Sequence, residues 1–166
     1  MSLAGVTQVA YVPDAGHKHL IDLCHADPTM RAVPLTSEEE GVGLSAGAWL
    51  GGAKSVLLMQ SSGVGNVVNA LAMARECHFP VVMIVTMRGE EGETNPWQVP
   101  MGQAAAIVLE AMGVEARRAE APEGVAPVVE MAIASAYNAN GREERAVAVL
   151  ISQTVIGVKH FVEVAD

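Results

Sequence analysis

The sequence predicts an α/β fold, a single three-layer domain with a six-stranded, mostly parallel sheet and helices on both faces. Short apolar runs alternate with helical patterns from end to end, which is typical of parallel strands joined by crossover helices. The 166 residues suffice for one domain, predicted to span residues 1–166 with its core at about 8–151. Hydrophobic residues make up 51% of the chain and aromatic ones only 4%, which favours helices packed closely on a buried sheet.

The first two strands are each followed by a helical pattern. An apolar run at residues 8–12 is predicted to form a strand that Pro13 ends, and a helix at residues 15–25 follows it. A second strand is predicted at residues 32–35. The next helix, at residues 38–51, begins with three glutamates, which suit the positive end of a helix dipole.

A glycine-containing loop follows the third predicted strand. The strand covers residues 55–60, the loop covers residues 61–66, and a helix continues to about Cys77. Residues 80–86 form a continuous apolar strand of the kind that is buried on both faces. Residues 88–100 are polar and form the longest predicted loop, so this loop is expected to be functional or mobile.

The rest of the chain repeats the pattern up to a tail that has no clear signal. A helix is predicted at residues 102–112, a strand at 114–116, a helix at 124–138 and a strand at 146–151. Parallel sheets bind ligands at the carboxyl ends of their strands. Chemistry is therefore expected in the loops that follow residues 12, 35, 60 and 86.

Charge and hydropathy restrict the partners. The net charge of -9 opposes binding to nucleic acid or to anionic membranes. No apolar run reaches the roughly 18 residues of a membrane helix, and the first 16 residues lack the pattern of a secretion signal, so a cytoplasmic location is expected. The mean hydropathy of +0.30 predicts self-association through an apolar face. Cys24 and Cys77 have no CxxC spacing, which favours free thiols in a reducing compartment.

Four segments at the strand ends carry polar or glycine-rich patterns. In the first, Glu38 lies just after a strand and nine residues before Gly47, within an apolar helix. On the pattern alone, a solvated acidic helix start would look the same. The other segments are residues 59–69, residues 87–90 together with 98–102, and residues 12–15.

Taken together, these segments resemble the pyrimidine-binding domain of thiamine diphosphate enzymes, most closely the alpha subunits of sulfopyruvate decarboxylase and the matching region of phosphonopyruvate decarboxylase. The resemblance covers residues from about 8 to 150. It implies that Glu38, and not Glu39 or Glu40, hydrogen-bonds N1′ of the cofactor's aminopyrimidine ring. Thiamine diphosphate activated in this way would decarboxylate a small 2-oxoacid, converting sulfopyruvate to sulfoacetaldehyde and carbon dioxide.

The resemblance also implies which residues hold the two ligands. A sulfonated substrate needs cationic or donor groups, and Arg88, His17 and Lys18 lie on two predicted rim loops, with Arg88 as the first choice. As an alternative, Arg88 is an ordinary loop arginine paired with Glu90 or Glu91. The expected cofactor pocket consists of Glu38, Ser62, Gly63, Val64, Gly65 and Asn66, and the expected substrate set is completed by Gln60, Ser61 and Ala15.

A second chain is expected to complete the site. In the resembled family another domain carries a Gly-Asp-Gly motif that binds magnesium and the diphosphate, and this sequence contains no Gly-Asp pair. It also has no P-loop to hold a diphosphate. The resemblance therefore implies a diphosphate-binding beta subunit that holds the magnesium, and a hetero-oligomer in which this chain alone is inactive.

Other interpretations remain open at this point. The chain could be a phosphonopyruvate decarboxylase-like subunit, or a pyrimidine-domain binding module without catalysis. An NADP-binding protein is disfavoured, because Val68 stands where a dinucleotide fingerprint requires its third glycine. A metal site is also disfavoured, because His17, His19, Cys24 and His25 point in different directions on a helix and do not converge.

Overall fold

The structure, a computed structural model, describes residues 4–137 and 145–157 and contains one six-stranded sheet. All neighbouring strands are parallel, in the order β2-β1-β3-β4-β6-β5. The predicted fold class is confirmed. The strands are β1 Val6–Tyr11, β2 Arg31–Pro34, β3 Lys54–Gln60, β4 Val81–Thr86, β5 Glu115–Ala119 and β6 Ala146–Ile151. The helices are α1 Lys18–Ala26, α2 Glu38–Leu50, α3 Val64–Glu76, α4 Gln98–Ala111, α5 Pro122–Tyr137 and α6 Gln153–Ile156.

Each face of the sheet packs against its own set of helices. Helices α1 and α5 cover one face, where Val82 and Ile84 of β4 point into the core. Helices α2, α3 and α4 cover the other face, and Met83 of the same strand points toward them. Every residue of β4 is buried, which explains why this strand is apolar without alternation.

Two of the predicted loops are shorter than expected. The segment after β3 is a single 3-10 turn, Ser61–Gly63, and α3 begins directly after it at Val64. Helix α4 begins at Gln98, four residues before its predicted start, and the side chain of Asn95 accepts a hydrogen bond from the backbone N–H of Trp97 in the turn before the helix.

The other predicted elements lie within a few residues of their predicted bounds. The predicted end of the α5 helix at residue 138 and the tail from residue 158 onward lie outside the described residues. Within the described residues, no helix has the length and apolar character to cross a membrane.

Candidate functional site

Glu38 lies at the carboxyl edge of the sheet, in the first turn of α2 and shortly after β2. Only 6% of the residue is exposed, so the interpretation as a solvated acidic helix start is wrong for this glutamate, although Glu39 and Glu40 are exposed. Its Oε2 accepts a hydrogen bond of 2.7 Å from Nδ2 of Asn66. The buried carboxylate is therefore fixed in place by a side chain from the next helix along the chain.

Gly63 allows this carboxylate to approach the turn after β3. A Cβ at position 63 would overlap Oε1 of Glu38. Any larger residue would have to displace either the turn or the carboxylate. The close approach of Gly63 thus couples the position of Glu38 to the position of the Ser61–Gly63 turn.

The environment of Glu38 fits a ligand that donates a hydrogen bond. Within the described residues, no group donates a hydrogen bond to Oε1, although Oε2 is bonded to Asn66. Oε1 is therefore open to a donor from a ligand, and a protonated ring nitrogen is a donor of that kind. The residues present therefore fit the aminopyrimidine end of thiamine diphosphate.

The predicted cofactor residues do not all face the same space. Gly63 and Asn66 contact Glu38 directly, and Gly65 lies beside Asn66 on the first turn of α3. The side chain of Val64 is fully buried in the core beneath α3, so it packs against the sheet. Ser62 is exposed, and its hydroxyl donates to Oε1 of Gln60 at 2.9 Å.

Asp14 connects the ends of three strands. Its Oδ1 accepts a hydrogen bond from Nε2 of Gln60 at 3.0 Å, and its Oδ2 accepts from Oγ1 of Thr86 and from the backbone N–H of Gly16, both at 2.9 Å. Burial alone would raise the pKa of Asp14, but these hydrogen bonds and the nearby His17 outweigh burial and lower it. Asp14 is therefore an anion at neutral pH.

This cluster continues toward Glu38 through Gln60. One end of the Gln60 amide donates to Asp14, and the other end accepts from Ser62, the residue before Gly63. A line of polar groups therefore runs along the carboxyl edge from Thr86 to the turn that contacts Glu38. The sequence analysis named Gln60 and included Asp14 in the segment of residues 12–15 without giving it a role, and it did not single out Thr86. An aspartate two residues before a glycine at a strand end is a recognisable turn signal.

The predicted rim position of His17 is wrong. The residue immediately precedes α1 and is only 2% exposed, because its ring turns inward under the Asp14 turn. Its Nε2 lies 3.2 Å from the carbonyl oxygen of Met59 and 3.1 Å from that of Ile84. Carbonyls only accept, so Nε2 carries the proton, and burial lowers the pKa of His17 and favours its neutral form. His17 thus joins β3 to β4 below the surface.

Lys18 and Ala15 are the exposed members of the predicted substrate set. Lys18 pairs with Asp22 at 2.6 Å, one turn further along α1. Lys18 and Ala15 line an open cleft beside β1, together with Pro13 and Tyr11. Ser61, by contrast, is fully buried, and its hydroxyl accepts a hydrogen bond from the backbone N–H of Arg88 at 3.0 Å.

Arg88 is buried and paired, but with neither of the predicted partners. Its Nε and Nη2 donate to the two carboxylate oxygens of Glu93 at 2.9 and 3.1 Å. Glu90 pairs instead with Arg118, and Glu91 is exposed. The side chain of Arg88 therefore points into the loop after β4, which gives its predicted contact with a substrate anion no geometric support.

The two glutamates of this loop fasten it to the rest of the edge. Glu93 also accepts hydrogen bonds from the backbone of Gly89 and Asn95 and from Nε2 of Gln153. Hydrogen bonds from Arg88 outweigh burial and lower the pKa of Glu93 to about 2. The loop that the sequence predicts at residues 88–100, and that was expected to be functional or mobile, is thus extensively hydrogen-bonded. The sequence did not single out Glu93 or Gln153, because neither stands in a recognisable pattern.

Close backbone contact explains the glycines of the segment formed by residues 87–90 and 98–102. Gly89 has a φ of +75°, and a Cβ there would overlap the backbone of Gln98 and Val99. A Cβ at Gly102 would overlap the carbonyl oxygen of Arg88. The glycines in the two parts therefore let the start of α4 lie directly on the loop after β4.

The disfavoured metal site is not supported. Among the described residues, no three His, Cys, Asp or Glu side chains lie together as metal ligands would. Cys24 is buried, Cys77 is exposed, and His25 is hydrogen-bonded to the hydroxyl of Tyr11 at 2.8 Å.

Comparison with known proteins identifies a matching family and several similar proteins. The N-terminal TPP binding domain of the thiamine pyrophosphate enzyme family matches residues 1–115. Sulfopyruvate decarboxylase subunit alpha of Methanothermobacter thermautotrophicus is 38% identical over 156 residues, which are 91% of this chain and 90% of that protein. Phosphonopyruvate decarboxylase of Streptomyces viridochromogenes is 37% identical over 113 residues, which are 67% of this chain and 28% of that enzyme.

A solved structure shares the fold. It is assigned as a thiamin diphosphate-dependent enzyme from Mycobacterium smegmatis and superposes with a TM-score of 0.66 at 17% sequence identity. The superposition covers 98% of this chain and 32% of the other.

Proposed function

We propose a function for this chain from its family. The chain belongs to the thiamine pyrophosphate enzymes, because it matches the N-terminal TPP binding domain of that family and is similar to an alpha subunit of sulfopyruvate decarboxylase. The proposed function is the pyrimidine-binding alpha subunit of a thiamine-diphosphate-dependent 2-oxoacid decarboxylase. The proposed reaction converts sulfopyruvate to sulfoacetaldehyde and carbon dioxide. The observation that carries the proposal is the buried carboxylate of Glu38, whose Oε1 has no donor among the described residues.

In this proposal Glu38 is the catalytic residue. When bound, thiamine diphosphate supplies the electron sink for the loss of carbon dioxide from a 2-oxoacid. Oε1 of Glu38 would accept a hydrogen bond from N1′ of the aminopyrimidine ring and hold the proton there. Asn66 keeps the carboxylate oriented, and Gly63 provides the space for it. The cofactor-binding set is therefore Glu38, Ser62, Gly63, Gly65 and Asn66, with Val64 supporting the turn from the core.

The substrate is proposed to lie along the polar edge next to this pocket. Gln60 donates a hydrogen bond to Asp14, Ala15 follows Asp14 in the chain, and Lys18 lines the cleft beside the same turn. Asp14 and Thr86 orient Gln60 and do not themselves need to contact the substrate.

A partner chain is proposed to supply the diphosphate site. Among the described cations at this edge, Lys18, Arg88 and Arg118 each pair with a carboxylate of the chain. Paired cations offer little attraction to a diphosphate. A beta subunit that carries magnesium and binds the diphosphate would complete the site, in keeping with the alpha-subunit names of the relatives.

A second substrate is supported by one comparison. The match to phosphonopyruvate decarboxylase makes phosphonopyruvate the alternative to sulfopyruvate. Both are 2-oxoacids with an anionic group at the far end, so the same pocket would suit either of them.

Reconstitution tests the proposed function. The chain and its partner beta chain from the same organism are mixed with thiamine diphosphate and magnesium, and carbon dioxide is measured from each of the two substrates. We expect decarboxylation with both chains present and none when either chain or the cofactor is omitted. A pair that binds cofactor but decarboxylates neither substrate would contradict the proposal. Association without cofactor binding would favour the binding module, and tight NADP binding by the chain alone would favour the nucleotide-binding alternative.

A further inference from the structure

The Arg88–Glu93 pair lies at the end of β4, one hydrogen bond away from the turn that contacts Glu38. We propose that this pair positions the Ser61–Gly63 turn, and through it Glu38, and that Arg88 does not bind the anionic group of the substrate. The proposal deepens the proposed function and rests on it for the role of Glu38. It makes Arg88 and Glu93 positioning residues of the same site.

The charges of the pair already satisfy each other. The side chain of Arg88 is 7% exposed and that of Glu93 is 1% exposed, and two parallel N–H···O bonds join them. A substrate sulfonate would meet a pair whose net charge is zero. Drawing Arg88 away from Glu93 would leave a buried carboxylate without its cation, which is strongly unfavourable.

Three further groups donate hydrogen bonds to Glu93, so it is a fixed anchor for Arg88. The backbone N–H groups of Gly89 and Asn95 and the side-chain amide of Gln153 all donate to it. Glu90 fastens the same loop independently, because its Oε2 accepts from Ser152 and from the backbone of Gln153. The loop after β4 is therefore tied to the end of β6 by two carboxylates.

The anchored loop contacts the cofactor turn through Arg88 itself. The backbone N–H of Arg88 donates to the buried hydroxyl of Ser61, the first residue of the turn. Gly63, the last residue of the turn, lies against Oε1 of Glu38. A shift of the loop would therefore move the turn, and a shift of the turn would displace the carboxylate.

Substitutions in the reconstituted pair distinguish positioning from anion binding. The variants are Arg88→Gln, Arg88→Lys, Glu93→Gln and the double variant Arg88→Gln/Glu93→Gln, assayed with sulfopyruvate and with 2-oxobutyrate, which has no second anionic group. We expect kcat/KM to fall by the same factor, within about threefold, for both substrates in every variant. Arg88→Lys is expected to resemble Arg88→Gln, because lysine lacks the planar fork that pairs with both oxygens of Glu93. The double variant is expected to be no worse than the more impaired single variant.

The opposite pattern would overturn the proposal. If Arg88 binds the substrate anion, Arg88→Gln raises the KM for sulfopyruvate at least tenfold and leaves 2-oxobutyrate unaffected, Arg88→Lys retains part of the lost affinity, and Glu93→Gln does not reproduce the effect. Ser61→Ala provides a milder variant in case the others do not fold. It removes only the acceptor of the Arg88 N–H and is expected to weaken cofactor binding without changing the ratio of the two substrates.

A measurement that does not depend on activity separates this proposal from the proposed function. Amide hydrogen exchange, measured on the chain reconstituted with its partner chain, reports the Ser61–Gly63 turn directly, since the backbone N–H of Val64 donates to the carbonyl of Ser61. We expect faster exchange at Val64 and Gly65 in Arg88→Gln and Glu93→Gln than in the wild-type chain. Unchanged exchange there would refute the positioning role, whichever substrate the enzyme decarboxylates.

Discussion

The chemistry of Glu38 depends on two neighbours with different roles. Asn66 supplies the hydrogen bond that the carboxylate receives from the described residues, and Gly63 supplies the space beside Oε1. Oε2 is satisfied by Asn66, and Oε1 is open to a donor from a ligand. The pocket is therefore suited to a donor on the ligand, and small changes around the carboxylate are expected to be felt in cofactor binding.

Gly63→Ala tests the close approach at the residue scale. The added Cβ would overlap the carboxylate of Glu38, so we expect the variant in the reconstituted pair to lose at least about tenfold in affinity for thiamine diphosphate, the equivalent of roughly 1.4 kcal/mol. Gly43→Ala is the matched control, since Gly43 lies within α2 and has nothing within 4 Å of a Cβ. Equal affinities for the two variants, measured by titration calorimetry, would contradict this account of Gly63.

The lowered pKa of Glu93 predicts how the stability of the chain depends on pH. Its pKa is lowered from 4.5 to about 2 in the folded chain, so its stabilising contribution is complete above pH 4.5 and is lost as the pH falls toward 2. The contribution is on the order of 3 kcal/mol. Urea unfolding of the chain between pH 6 and pH 3 is expected to show a steeper loss of stability for the wild type than for Glu93→Gln. Parallel curves would mean that the carboxylate is not held as the structure shows.

Strands and helices with strong periodic patterns could be predicted from the sequence. Strand β4 was recognised because both of its faces are buried and all six of its residues are apolar or small. The start of α4 was placed too late, because the turn at Asn95 is a local hydrogen-bond arrangement that leaves no hydrophobic period. The 3-10 turn after β3 was predicted as a longer loop, because Gly63 serves a close contact with Glu38 and Gly65 already lies within α3.

The candidate site could be predicted only in part. Glu38 was singled out because the resemblance to thiamine diphosphate enzymes assigns its role to the glutamate nine residues before the helix glycine, Gly47, and the spacing alone did not distinguish it from a solvated helix start. The hydrogen bonds of Asp14 and the pairing of Arg88 with Glu93 were not accessible, because they depend on where separate strand ends meet in space. His17 was misplaced for a related reason. A histidine after a strand end has no sequence mark that distinguishes an outward from an inward ring.

The contact between α4 and the loop after β4 gives a prediction at the scale of elements. Gly102→Ala is expected to destabilise the chain by about 1–3 kcal/mol, because the new Cβ would overlap the carbonyl oxygen of Arg88. Gly124→Ala, also within a helix but with nothing within 4 Å of a Cβ, is the control. The control is expected to be neutral or stabilising by up to about 1 kcal/mol. Urea midpoints measure both, and a neutral Gly102→Ala would contradict the tight contact.

At the scale of the whole molecule, most of the exposed large hydrophobic residues in the described part of the chain belong to α2, α3 and α4 or directly precede them. The large hydrophobic residues Leu50, Met73, Trp97 and Ile107 lie on or directly before these helices and are exposed, whereas α1 and α5 each expose one such residue. The chain also carries a net charge of -9. Apolar attraction and charge repulsion therefore oppose each other when copies of the chain meet.

Salt is predicted to shift that balance. If copies associate through the apolar face, raising the salt concentration screens the repulsion and should strengthen association. Sedimentation of the isolated chain is expected to show a species larger than the 17.3 kDa monomer whose share grows between about 50 mM and 500 mM salt. A monomer at every salt concentration would remove the support for self-association and leave the partner chain as the occupant of this face.

The proposed function as a whole depends on the carboxylate of Glu38. The most direct measurement compares wild type, Glu38→Gln and Glu39→Gln in the reconstituted pair, where Glu39 is the exposed neighbour with the same side chain. Carbon dioxide release from sulfopyruvate under saturating cofactor is expected to fall by at least about 100-fold in Glu38→Gln and to stay near the wild-type rate in Glu39→Gln. Equal rates for all three proteins would contradict the proposed role of this buried glutamate.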